Sequence, residues 1–159
     1  MGELKNRGRE GVKENQDRYQ EIQENSEQSL EERNRNNEIL KSIEGVDDDD
    51  KSSVEDGENQ GKEIAAQIAE SQMETPKNEV NSRMEDTVNE MKDLEGRERA
   101  DATKVSAMDG NYGGIGSGLE SKFEDSANEF NDIATGGEEI KEQSNARIDS
   151  IIQNMKEDW

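Results

Sequence analysis

Apolar residues are sparse along the first forty-four positions, but several fall in helical spacing. Tyr19, Ile22, Ser26, Leu30, Arg33, Asn37, Leu40 and Glu44 step by three and four, which a helix places on one side, and half of the eight are polar. Two readings of 1–44 stay open: a solvated polar helix or disordered arm, or a coiled-coil strand whose polar seam residues specify register. The periodicity stops at 45–61, where Asp47, Asp48, Asp49 and Asp50 precede Lys51, two serines and Gly57. That stretch reads as an acidic linker, and its Asp-Asp-Asp-Asp-Lys run resembles an enterokinase cleavage sequence by chance of composition.

Helical spacing resumes at 62–108. Ile64, Ala65, Ile68 and Ala69 make a short amphipathic pattern that ends before Thr75-Pro76, where Thr75 is an N-cap candidate with proline at the first helical position; whether the preceding helix instead runs on through a proline kink stays open. Val80, Met84, Val88, Met91 and Leu94 then form one apolar stripe. Residues 109–118 carry five glycines and include Tyr112, Gly113, Gly114, Gly116 and Gly118, which predicts a turn. Ser117 and Glu120 have capping-box spacing, so a new helix is expected over 119–159, burying Leu119, Phe123, Ala127, Phe130 and Ala134. Gly136-Gly137 is expected to interrupt it, with Thr135 and Glu138 as a second capping box. Ile148, Ile151, Ile152, Met155 and Trp159 close the chain with its densest apolar stripe. The predicted fold is all-α: extended helices with a C-terminal helical hairpin, coiled-coil or bundle packing, and a partly disordered N-terminal arm or linker.

Composition thins that picture. Only 26% of the 159 residues are hydrophobic and 3% aromatic, while 41 acids against 20 bases leave a net charge of -21. Leu, Ile, Val and Phe make up about 15% of the chain, below the ~20% at which a strongly charged sequence orders itself as a compact globule. Long helices sharing a narrow seam, or folding on a partner, are the ways out. The field of the chain repels phosphate, which argues against direct nucleic-acid or anionic-membrane binding. No apolar run approaches a membrane span, and Lys5, Arg7, Arg9 and Lys13 are not followed by the apolar core of a Sec-type signal. The expected product is soluble, either cytoplasmic or exported without such a signal.

The absence of His and Cys removes the commonest general base, the commonest metal ligand and the thiolate nucleophile, so no catalytic residue, resident metal or cofactor is expected. Gly114, Gly116 and Gly118 lack the spacing and the preceding strand of a dinucleotide site. Asp109, Asn111 and Glu120 occupy positions 1, 3 and 12 of an EF-hand-like loop, a weak calcium candidate. The methionines at 73, 84, 91, 108 and 155 fall mostly on the stripes, where a flexible thioether fills irregular gaps.

Helix, glycine turn and helix with Tyr112-x-Gly114 at the middle resemble the hairpin of WXG100-type substrates of type VII secretion, over about 60% of the chain. That resemblance implies two helices pairing with a partner hairpin. The sequence departs from the pattern in having Tyr112 for tryptophan, in Gly136-Gly137, and in lacking an aromatic-xxx-acid signal: Ala127 and Ala134 stand four after Phe123 and Phe130.

These residues predict a non-catalytic acidic helical module for protein–protein interaction, in assembly, in secretion or as an adaptor. Its partner is expected to be another protein, basic or helical, or a second copy. Leu119, Phe123, Phe130, Ile148, Ile151, Met155 and Trp159 are the contact candidates. Three alternatives accompany it: a WXG100-like hairpin, an acidic nucleic-acid mimic that inhibits a DNA-binding protein, and a calcium-responsive helix pair.

Overall fold

The computed structural model describes the backbone of 2–41, 48–112 and 115–157, and the side chains of 2–32, 35, 63–64, 67–68, 70–108 and 118–155. All of that backbone is helical: α1 (Gly2–Lys41), α2 (Asp48–Tyr112) and α3 (Ile115–Glu157). The fold is an all-helical three-helix bundle, as the spacing predicts. It contains two compact units, and α1, α2 and α3 each contribute a segment to both: one unit takes Met1–Asp17 with Asn81–Glu142, the other Arg18–Val80 with Gln143–Trp159.

In the first unit, α1 runs antiparallel to α2, because Gly8 faces Met91, Gly11 faces Thr87 and Asn15 faces Met84. The α3 segment is antiparallel to α2, with Lys92 to Glu138 at 2.7 Å and Lys141 to Glu85 at 2.6 Å. It is parallel to α1, with Lys5 on Glu129 and Val12 beside Gly137. The core is Val80's successors on the stripe, Met84, Val88, Met91 and Ala102, against Ala127, Phe130, Ile133 and Ala134. In the second unit, Tyr19 is fully buried together with Met73, Val80, Ile148, Ile151, Ile152 and Met155. Its Ser26 hydroxyl donates to the Ile22 carbonyl (2.6 Å), and Met73 Sδ lies 3.0 Å from Ser26 Oγ.

The structure decides the open reading of 1–44 and differs from the sequence reading at three further places. Residues 1–44 are open in the sequence between a solvated helix or arm and a coiled-coil strand; 2–41 are helix, and Tyr19 and Ser26 of the predicted seam are buried. Of the linker 45–61, residues 48–61 are helical, opening on three aspartates, the residue type that the positive end of a helix dipole favours; 45–47 lie outside the described residues. Thr75-Pro76 starts no helix: α2 passes through Pro76. Proline has no N–H, so the Gln72 carbonyl loses its usual partner four residues on, a cost that tertiary packing offsets.

Gly136-Gly137 does not interrupt α3. Gly137 is buried where all three helices of the first unit meet: a Cβ there would lie 2.9 Å from Val88 Cγ2, 3.2 Å from Met84 Sδ and 3.3 Å from Val12 Cγ2. The glycine is a notch that lets the helices approach. Around Gly136 the same test finds nothing within 4 Å.

Candidate interaction surface

Most of the expected contact residues turn inward. Phe130 is fully buried in the first unit; Ile148, Ile151 and Met155 are buried in the second. Trp159 lies outside the described residues. Leu119 is 44% exposed and Phe123 half-buried, both in the first unit. The structure therefore does not gather the six described candidates into one surface.

Leu119 and Phe123 sit where the seam outruns its cover. The pairing of Gly8 with Met91 and Gly11 with Thr87 sets Gly2, where α1 begins, level with residue ~97 of α2. Residues 98–112 of α2 continue about 22 Å further at 1.5 Å per residue. Over that length the apolar positions open progressively: Ala102 is buried, Val105 half-buried and Met108 49% exposed on α2, while α3 presents Leu119 and Phe123. The glycine-turn residues adjoin it. Tyr112 is the last residue of α2, Gly116 and Gly118 are in α3, and Gly113 and Gly114 lie outside the described residues.

The calcium loop does not form as its spacing requires. Asp109 and Asn111 are on α2 and Glu120 is on α3, so the span is helical except at 113–114, outside the described residues. Among the described residues no group of three or more acids is placed to hold a metal ion.

In the first unit α1 adds its own ion pairs to those that join α2 and α3. Lys5 Nζ reaches Glu129 at 2.9 Å and lies 5.4 Å from the Phe130 ring centroid; Arg9 reaches Glu129 at 3.8 Å and Arg7 reaches Glu90 at 3.2 Å. The hydrogen-bonded Lys5 ammonium holds the Glu129 carboxyl below its ordinary range. Glu98, only 5% exposed, is the opposite case. Burial pushes its carboxyl up, Asp101 adds to that, and its Oε2 has no hydrogen-bond partner. The second unit carries a groove of about 410 Å³ with mixed lining beside Pro76, formed by Arg18, Glu21, Ile22, Asn25, Glu79 and Val80. Elsewhere in that unit Lys77 bridges Glu74 (2.9 Å) and Asp149 (3.0 Å). Burial lowers Lys77, but those two carboxylates outweigh it and hold the ammonium above its ordinary range.

Sequence reasoning missed the basic edge of α1 as a site. Lys5, Arg9 and Lys13 recur every four residues and flank Gly8 and Gly11, the signal that would have found it. No helix among the described residues is long and apolar enough to cross a membrane. Comparison with protein-family models, with curated proteins and with solved structures finds no match to this chain.

Proposed function

We propose that the chain is a non-catalytic, acidic, helical module for protein–protein interaction. The observation that carries this reading is the apolar seam that continues past α1, leaving Met108 and Leu119 about half exposed with Val105 and Phe123 beside them in sequence register. A two-helix segment with an open apolar face gains by accepting a third helix, since burying each such side chain contributes ~1.5–3 kcal/mol. The surrounding negative charge keeps the open face soluble and selects against acidic partners.

The test is site-specific photocrosslinking in cells that make the protein, with the reactive group at Leu119 or, as a control, at exposed Glu124 of the same helix. A discrete protein adduct at 119 that is lost on Met108→Glu supports the face as an interface. Equal adducts at both positions, or insensitivity to Met108→Glu, would refute it.

A second reading, a WXG100-like hairpin, is favoured by one observation: α2 ends on Tyr112 and α3 begins at Ile115, so Tyr112-x-Gly114 falls at the junction. In that reading α1 stands on part of the stripe that a partner hairpin would use.

A further inference from the structure

The first unit holds residues 2–17 with less apolar burial than it gives its other helices. None of its buried apolar side chains comes from 2–17 among the described residues; the buried positions there are Gly8 and Asn15. Beside half-buried Leu4 and Val12, what the segment offers is close backbone approach and charge. A Cβ on Gly8 would meet Met91 at Cε (2.9 Å) and Cγ (3.1 Å), and one on Gly11 would meet Thr87 at 3.1 Å. Lys5 and Arg9 both reach Glu129, and Arg7 reaches Glu90. The face beneath is built from Met84 and Met91, both fully buried, with the acids at its rim.

Residues 2–17 carry four acids and four bases, whereas 81–142 carry sixteen acids and seven bases. A helix of balanced charge therefore packs on a segment with sixteen acids against seven bases, and its own charges sum to zero against that acidic excess. Thioethers repack around different neighbours more readily than branched side chains. Arg7–Glu90 and Arg9–Glu129 are exposed pairs of the kind that hold weakly and weaken with salt, and Glu129, the acceptor of Lys5 as well, is itself exposed.

We infer that the α2–α3 face under residues 2–17 is a receptor for a basic helix of another protein, and that residues 2–17 are its resident, displaceable occupant. The incoming helix carries small residues along its seam and Lys or Arg four apart beside it, as Gly8 with Lys5 and Arg9 do here. Tethering gives the resident helix a high effective concentration, so a competitor enters when the resident's charges are lost or bettered. This inference shares the interaction reading but not the Met108–Leu119 face, so the two fail separately.

The probe is a fluorescein-labelled peptide with the sequence of residues 2–17, titrated by anisotropy at low salt into the full chain and into its Lys5→Glu/Arg9→Glu variant. The expected result is at least tenfold tighter capture by the variant, abolished at high salt. Adding Glu129→Lys to that variant re-pairs its own helix and should abolish capture; this third chain also separates loosening from misfolding. Equal binding to wild type and variant, no binding to either, capture unaffected by Glu129→Lys, or equal capture of a Lys5→Gln/Arg9→Gln peptide would each overturn the inference.

Discussion

Two neighbouring glycines in the middle of α3 should respond to the same substitution with opposite sign. In a helix interior, glycine to alanine stabilises by roughly 0.5–1 kcal/mol, because alanine loses less backbone entropy on folding. Gly136→Ala should realise that gain, since its Cβ meets nothing within 4 Å. Gly137→Ala carries the same gain but pushes a methyl against Val88 Cγ2 at 2.9 Å, with Met84 and Val12 close behind. Met84 can swing, but Val88 is β-branched, buried and stiff at χ1. Overpacking of this kind costs about 1–3 kcal/mol, so the net effect at 137 is a loss of about 1 kcal/mol. The two variants should differ by about 2 kcal/mol, a melting-temperature gap of roughly 4–8 °C for a chain of this size. Urea and thermal unfolding followed by circular dichroism measure it. Val88→Ala in the Gly137→Ala background should relieve part of the loss, giving a coupling energy of about 1 kcal/mol. Equal stabilisation at both sites would mean that the three helices do not converge on Gly137. Equal destabilisation would mean that the pair does break the helix.

Glu98→Gln should stabilise the fold by about 1 kcal/mol at pH 7, by removing a buried charge with an unpaired oxygen. Because the folded carboxyl is raised, the penalty is present above that raised value and fades as pH falls through it; below the ordinary Glu value of about 4.3 the variant should have no advantage. Denaturant titrations across pH 3.5–8, the pH limits being roughly those of the carboxylate range, read the difference. Lys77→Gln should cost about 1 kcal/mol at pH 7, since a raised ammonium contributes fully below its ordinary value of about 10.4. The deficit should vanish as pH rises through the raised folded value, and a deficit unchanged in strong alkali would assign it to packing instead. Tyr19→Ala should cost about 3 kcal/mol, as Tyr19 is the one buried apolar side chain that α1 supplies among the described residues. A loss under 1 kcal/mol in urea unfolding would put Tyr19 outside the core.

What could be read from sequence was whatever an apolar side chain announces. Val80, Met84, Val88 and Met91 on α2, and Phe130, Ile148, Ile151 and Met155 on α3, are spaced for a helix and are buried. The α1 seam was legible only at Tyr19, Ile22, Ser26 and Leu30. Upstream it continues through Gly8, Val12 and Asn15, and two of those three carry no apolar group for periodicity to detect. Gly137 misled for a related reason: a notch and a break look alike when neither has a side chain, and only the neighbours tell them apart. The helix over 48–61 has no stripe to betray it. Contact candidates chosen by apolar character turned out mainly to be core, because a chain this poor in apolar residues spends most of them internally. The charged edge of α1 was visible as residues but not as a site, since its meaning depends on Glu90 and Glu129, eighty to one hundred and twenty-odd positions away.

The burial of Met84 and Met91 makes the position of α1 chemically recordable. A thioether with no accessible surface reacts with peroxide only during the moments when its cover is lifted, whereas Met108, about half exposed on the same helix, reacts throughout. The ratio of sulfoxide at 84 and 91 to sulfoxide at 108 therefore clocks how often the first unit opens. A polar sulfoxide under α1 would then disfavour reclosure, so each oxidised molecule keeps a record of having opened.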